Sequence, residues 1–287
     1  MRELSILIPT FNDVCFELVS QLQRQAEALD ISYEIIVADD GSTDSSCIAT
    51  NRQVNQLPHC RLTERKENTG RAVIRNFLAN EAQYELLLFI DSDMKVCRTD
   101  YLSQYLACGD YPIVDGGVVI NKTREENLRS MYEKAAEQQH TADKRRESPY
   151  RDFHTANFMI RRTLMLAHPF DNRFRHYGYE DVLFGKEMEQ QGIAIHHIDN
   201  PLSFEIFESN ADFLSKSEEG LRTLYLFRKE LRGYNRLLEL ADRLPHAPFR
   251  LWHRLFASFE RRQLTGKRPS LTVFQLYRLG YFFSLYS

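Results

Sequence analysis

The chain has 287 residues, 43% of them hydrophobic and 27% charged, an ordinary globular composition with length for one large domain plus an appendage. A formal net charge of −3 argues against a dedicated nucleic-acid binder, which is usually strongly basic. The charge is unevenly placed: from Leu221 to Ser287 thirteen Lys or Arg stand against four Asp or Glu, so an acidic body carries a basic tail.

Leu4 to Ile8 is a short apolar run closed by Pro9 and predicts a buried strand. Leu18, Leu22, Ala26 and Leu29 place residues 14–29 in a helix. Tyr33 to Ala38 is a second strand, stopped by Asp39, Asp40 and Gly41, and Ser42, Thr43 and Asp44 offer capping side chains to a following helix. A weaker strand covers Cys60 to Glu64, and the loop Glu67-Asn68-Thr69-Gly70 opens a helix through Ala72, Ile74, Phe77 and Leu78. Glu85 to Ile90 is continuously apolar, as a central parallel strand should be.

The second half is less regular. Tyr111 to Ile120 reads as one strand, in which Gly116-Gly117 suggests close backbone approach. A charged helix is expected over 124–147, a strand over Ala156 to Ile160, a helix from Glu180 to Gln191 ended by Gly192, and a strand over Ile193 to Ile198. From Ala211 onward the pattern is helical, broken by Pro245, Pro248 and Gly266-Lys267-Arg268-Pro269. Alternating strands and helices imply an α/β layered sheet, whose ligands sit beyond the carboxyl ends of the strands.

The five cysteines (Cys15, Cys47, Cys60, Cys97, Cys108) are an odd count without CxxC spacing, which disfavours a disulfide framework or zinc knuckle and suits a reducing compartment. The apolar run at the N-terminus is too short for a signal peptide, and no run approaches ~18 apolar residues. A cytoplasmic protein is expected, at most peripheral on an inner membrane face.

Three motifs follow strands or a glycine turn. In Phe89-Ile90-Asp91-Ser92-Asp93, two carboxylates at i and i+2 can serve one site, and a hard cation such as Mn2+ or Mg2+ takes oxygen ligands and keeps substrate phosphates in its shell. The bland alternative is a solvated turn. In Tyr33 to Ser42, Asp39 or Asp40 can accept the N3–H of a uracil, while helix capping accounts for Ser42 and Asp44. In Tyr177-Gly178-Tyr179-Glu180-Asp181, acids at a helix start are electrostatically favoured, and Asp181 can also serve as a general base kept ionised by the helix dipole.

Together Ser5 to Asn12, Asp39-Asp40-Gly41-Ser42-Thr43-Asp44, Asn68-Thr69-Gly70, Asp91-Ser92-Asp93 and Glu180-Asp181 resemble the motifs of family 2 glycosyltransferases, in the family's order, over roughly residues 1–210. The resemblance implies a GT-A fold, Rossmann-like with a mostly parallel central sheet flanked by helices: a catalytic domain over 1–210 and a basic, aromatic-rich helical extension over 211–287. It implies that Pro9 and Thr10 lie along the nucleotide, Asp39 contacts the base, and Asn68 and Arg71 hold the nucleotide. Asp91, with Ser92 beside it, would sit near the ribose or metal, Asp93 would ligate the metal, and Asn157 would face the sugar. Asp181 would be the catalytic base, with Glu180 orienting the acceptor. The implied reaction is a single displacement with inversion, moving a sugar from a nucleotide-sugar, a UDP-sugar by preference, to a glycan or lipid-linked acceptor through an oxocarbenium-like transition state.

One departure concerns the metal. Many relatives supply a histidine shortly after the Glu-Asp pair, and Phe204 stands where it is expected. His196 and His197 are nearby candidates, although alternation points them to opposite faces. In the tail, Arg250, Arg254, Arg261, Arg262, Lys267 and Arg268 interleave with Phe249, Trp252 and Phe256, which suggests either a solvated face or a peripheral membrane contact through 249–268. Two other functions fit less well. A sugar-phosphate nucleotidyltransferase generally needs a Gly-rich loop after the first strand, where Thr10-Phe11-Asn12-Asp13 has none. A catalytically impaired nucleotide-sugar-binding protein is kept open by the absent histidine.

Overall fold

The computed structural model describes residues 2–120, 127–137, 140–205 and 207–286. Its strands are Arg2–Thr10 (β1), Ile31–Asp39 (β2), Cys60–Glu64 (β3), Leu86–Ile90 (β4), Met94–Lys95 (β5), Ile113–Asp115 (β6), Val118–Ile120 (β7), Asn157–Arg161 (β8), Ile195–His197 (β9) and Leu202–Phe204 (β10). Its helices are Phe16–Glu27 (α1), Ser45–Asn51 (α2), Arg71–Glu81 (α3), Tyr101–Ala107 (α4), Leu128–Glu137 (α5), Ala142–Glu147 (α6), Arg162–Ala167 (α7), Glu180–Gln190 (α8), Asn210–Leu226 (α9), Arg236–Arg243 (α10), His246–Leu264 (α11) and Leu271–Ser284 (α12).

Seven strands form one sheet in the order β3-β2-β1-β4-β8-β6-β9, and three form a small sheet, β5-β10-β7. The large sheet is parallel except for β8, which runs antiparallel to β4 and β6. Its strands are apolar on both sides because both faces are covered. Ile6, Ile8, Ile35 and Val37 meet α1 and α4 through Leu18, Leu22, Tyr101 and Tyr105. Leu7, Ile36, Leu87 and Phe89 face the opposite way, toward Ile74 and Leu78 of α3 and Phe184 and Met188 of α8.

The expected α/β sheet is present, with differences. The strand expected over Tyr111 to Ile120 is two strands in different sheets, β6 and β7, because the chain bends at Gly116-Gly117. Gly117 has φ +80°, and a Cβ there would stand 2.6 Å from the Arg145 guanidinium. The helix expected over 124–147 contains α5 and α6, while 124–126 and 138–139 lie outside the described residues. β5, β10, α4 and α7 were not expected from the pattern; they are short elements whose stability comes from packing rather than periodicity.

The helices from α9 onward pack into two clusters, one shared with the sheet and one of their own around α5. Leu221, Leu224, Leu238, Phe282 and Phe283 join the cluster on the α3 and α8 side of the sheet. Phe213, Leu214, Leu264, Phe274 and Tyr277 enclose Leu128 of α5. Among the described residues no helix is long and apolar enough to cross a membrane.

Candidate functional site

The carboxyl ends of β1, β2 and β4 lie side by side, with Thr10 in register with Asp39 and Leu7 with Phe89. The loops leaving them are tied together by short polar side chains. Asn12, at φ +50°, accepts the backbone N–H groups of Thr43 and Asp44 on Oδ1 at 2.7 and 2.9 Å. Asp39 is buried and accepts the Ser42 N–H at 2.7 Å, closing an Asx-type turn. Asp40, also buried, accepts the N–H groups of Thr69 and Gly70, both at 2.9 Å, and pairs with Arg65 at 3.0 Å. That carboxylate shapes the loop that presents Asn68 and starts α3 at Arg71. Gly70 takes φ +91° there, where a Cβ would meet the Arg175 carbonyl oxygen at 2.7 Å. Pro9 is half-buried, Thr10 is buried with its hydroxyl on the Asp13 carbonyl at 3.1 Å, and Asn68 is exposed.

Beneath these loops is a four-membered charge cluster. Arg71 donates through Nε to Glu180 at 2.9 Å and through Nη2 to Asp91 at 2.8 Å. Arg75, one turn further along α3 and only 1% exposed, donates to the other Asp91 oxygen and approaches Glu180 at 3.8 Å. Two guanidinium groups thus neutralise two carboxylates. Burial raises the Asp91 pKa, but the Arg75 and Arg71 charges outweigh it and hold the carboxyl below its usual range.

Asp93 is the carboxylate left over. Among the described residues it has no hydrogen bond or ion pair; burial, with the Asp91 charge added, pushes it up to about 6. The Asp13 charge acts in the same direction, and the buried Asp13 Oδ2 has no hydrogen-bond partner. An acid strained by burial and like charge, beside an orphaned carboxylate oxygen, fits a site for a hard divalent cation. Asp91 fits that role less well than expected, since both its oxygens already accept from arginines. Ser92 lies half-buried between the two acids.

The histidines do not complete a metal shell. His197 is buried with Nε2 on the Pro149 carbonyl oxygen at 2.8 Å, and His196 stacks on Tyr111 with ring centroids 3.8 Å apart. Their strand, β9, lies three strand positions from β4, roughly 14 Å to the side. Phe204 is in register with Met94, the residue after Asp93, and its ring carries the Arg129 guanidinium at 4.9 Å. Among the described residues no group of three or more His, Cys, Asp or Glu could hold a metal ion, so a cation here would draw on Asp93 plus phosphate and water oxygens.

Glu180 and Asp181 open α8 after a tight turn, with Gly178 at φ +92° and Tyr179 at φ +72°. Glu180 faces inward to Arg71 and Arg75. Asp181 is partly exposed; one oxygen accepts the Val182 N–H at 2.8 Å, and the other lies 3.5 Å from His154 Nδ1. Burial disfavours the charge on each. Their mutual attraction reverses this, holding Asp181 below its usual range and raising His154 to about 9. Arg71 bonds Asp91 at the end of β4 and Glu180 at the start of α8, so these two ends border one site.

Asn157 is placed differently from expectation. It is 1% exposed; its Oδ1 accepts from the Tyr101 and Tyr105 hydroxyls at 2.6 and 2.7 Å, and its Nδ2 donates to the carbonyls of Gly117 and Asn200. With its side chain spent on the core, it braces β8 under the site and has nothing left to face a sugar. Arg75 and His154 were not picked out from the sequence. Arg75 was legible only as one turn after Arg71; His154 stands in the segment that carries Asn157, but nothing there tied it to Asp181, 27 positions away.

Comparison with known proteins gives the family and the fold. The family model described as Glycosyl transferase family 2 matches residues 5–166. The chondroitin synthase of Pasteurella multocida is 24% identical over 234 residues, covering 70% of this chain and 24% of the synthase. The chain spans well under half the length of the curated relatives it first matches. Among solved structures, Staphylococcus aureus TarS 1–349 in complex with UDP superposes with a TM-score of 0.54 at 16% identity, over 98% of this chain and 89% of that one. A Pyrobaculum calidifontis mannosyltransferase in complex with GDP-Man and Mn2+ gives 0.56 at 18%, over 99% and 81%. At such identities these two establish a shared fold.

Proposed function

As the chain belongs to glycosyl transferase family 2, with the GT-A fold, we propose that it transfers a sugar from a nucleotide-sugar to a hydroxyl of a glycan or lipid-linked acceptor, with inversion at the anomeric carbon. The observation that carries this reading is the pair of bonds from Arg71 to Asp91 and Glu180, which border one site with an unpaired acid, Asp93, and an ionised one, Asp181. Asp181 takes the proton of the acceptor hydroxyl as that oxygen attacks the anomeric carbon, and the bond to the nucleoside diphosphate breaks on the opposite face. His154 holds Asp181 in its ionised form, while Glu180, fixed by two arginines, orients the turn that carries the base.

A bound Mn2+ or Mg2+ supplies positive charge to the departing diphosphate, and Asp93 is the residue suited to hold it. Pro9, Thr10 and Asp39 line the crevice edge for the nucleoside, with Asn68 and Arg71 from the opposite loop. UDP is the preferred nucleotide, in keeping with the UDP-bound TarS structure, while the GDP-Man complex of the mannosyltransferase makes guanosine the alternative to test. The five free cysteines suit the cytoplasmic side of a membrane.

The test is a nucleotide-sugar panel with Mn2+ or with chelator, read first by thermal stabilisation and then by transfer to glycan acceptors, with the product anomer assigned by NMR. Stabilisation by one donor only with metal, followed by an inverted linkage, is the expected result. Retention of configuration would overturn the role given to Asp181, and donor binding with no hydrolysis or transfer to any acceptor would favour a binding protein.

A further inference from the structure

Helix α11 is packed along only part of its circumference. On one side it lies against α12, close enough that a Cβ on Gly280 would stand 2.9 Å from the His253 Cβ, and Glu260 and Leu264 are buried there. On another side Leu251, Trp252, Leu255, Phe256 and Phe259 are 58, 44, 65, 40 and 71% exposed. At about 100° per residue these five positions fall on one continuous arc of the helix. Five large apolar side chains within nine residues are a patch, not the scattered singles of an ordinary surface.

The patch is held in place. The Trp252 indole N–H donates to the buried Glu260 Oε1 at 2.8 Å, and the Phe256 ring lies 4.3 Å from the Trp252 ring. Bases border it: Arg250 and Arg254 along the helix, Arg262, Lys267 and Arg268 at its far end, all exposed and none in an ion pair among the described residues. Arg261 differs, being bound to Glu218. The one acid of α11 is the buried Glu260, so the exposed surface carries only positive charge.

We propose that this face of α11 rests in the headgroup region of an anionic lipid bilayer, with the helix axis parallel to the membrane. Apolar and aromatic side chains with a rim of Arg and Lys are the chemistry that such a surface takes up. A second copy meeting the same face would bring two positively charged rims together, which like-charge repulsion opposes. The contact also has a structural route to the site. α12 packs on α11, and its Arg278 reaches the Tyr132 hydroxyl at 3.4 Å, while its charge acts on Tyr179, the residue before Glu180. The proposal does not depend on the donor chemistry above; if both hold, the enzyme is kept at the surface where lipid-linked hydroxyls lie.

The chain has a single tryptophan, and it lies in the patch, so its fluorescence reports the contact directly. The full chain is mixed with vesicles of phosphatidylcholine alone or with phosphatidylglycerol, at low and high salt. Binding to the anionic vesicles is expected, with a blue shift and quenching by brominated acyl chains, and roughly tenfold or greater weakening in L255S/F259S and in R250Q/R254Q/R262Q. These side chains are exposed, so unchanged melting temperatures and unchanged donor hydrolysis separate a lost contact from a lost fold or a failed functional reading. Equal binding by the variants overturns the proposal. So does failure to bind anionic vesicles, or a dimer in sedimentation that L255S/F259S dissociates.

Discussion

Arg71 donates to Glu180 at 2.9 Å across 109 residues of chain, and the same guanidinium donates to Asp91 at 2.8 Å. One side chain thereby fixes the end of the central strand relative to the start of α8. Replacing it with lysine keeps the charge but not the planar fork that serves two carboxylates at once. Arg71→Lys should lower kcat on the order of tenfold to a hundredfold, with the melting temperature little changed. Wild-type turnover in that variant would show that the bridge does not matter.

Arg75 has a different burden. It is buried beneath Arg71 and answers the same two acids, so Arg75→Met leaves buried negative charge without compensation. A loss of about 3–5 kcal/mol is expected on breaking such a buried pair. Urea denaturation followed by circular dichroism measures it, and a loss under about 1 kcal/mol would mean that water reaches the cluster.

Asp93→Asn removes the unpaired carboxylate while keeping its shape. Turnover should fall about a hundredfold to a thousandfold and the stabilisation by Mn2+ plus nucleotide should disappear. Asp91→Asn should act mainly on folding, because its oxygens serve Arg71 and Arg75. The reverse ranking of the two variants in metal-dependent stabilisation contradicts the division of labour between them.

Asp181 and His154 set the pH behaviour. A carboxyl with a depressed pKa stays ionised until the pH falls through that depressed value, so base function should persist well into the acid range. Besides Asp181, His154 is faced by the Asp115 and Asp152 charges and by the His140 ring, 5.4 Å away. In His154→Gln the imidazolium is gone and burial dominates, so the Asp181 pKa rises and the acid limb of kcat/KM should move up by roughly one pH unit. A lower plateau with an unmoved acid limb would mean that His154 serves only to pack. Asp181→Asn should lose about a hundredfold to ten-thousandfold in turnover while binding the nucleotide normally.

Asn157→Ala should act on stability. The Tyr101 hydroxyl and the carbonyls of Gly117 and Asn200 each lose a partner in a site closed to water. A cost on the order of 3 kcal/mol follows from leaving such groups unsatisfied. Calorimetry checks this, together with donor KM, which should hardly change if the side chain never meets the sugar.

The sequence by itself determined the layers and the edge. Continuous apolar runs ending in acids, alternating with helical spacing, are local properties, and they located β1, β2, β4 and α8 and the loops that leave them. The direction of β8 and the small β5-β10-β7 sheet were not legible, because short strands are chosen by their neighbours. Which carboxylate stays free was not legible from spacing, although the family resemblance set Asp93 on the metal. Asp91 and Asp93 look alike in sequence, and only the arrival of Arg71 and Arg75 from α3 neutralises one and leaves the other strained. Helix α11 makes the same point: its spacing offers apolar residues on more than one side, and packing against α12 decides which side is covered and which faces out. Periodicity is written into neighbouring residues, but burial and charge pairing belong to groups that meet only when the chain has folded.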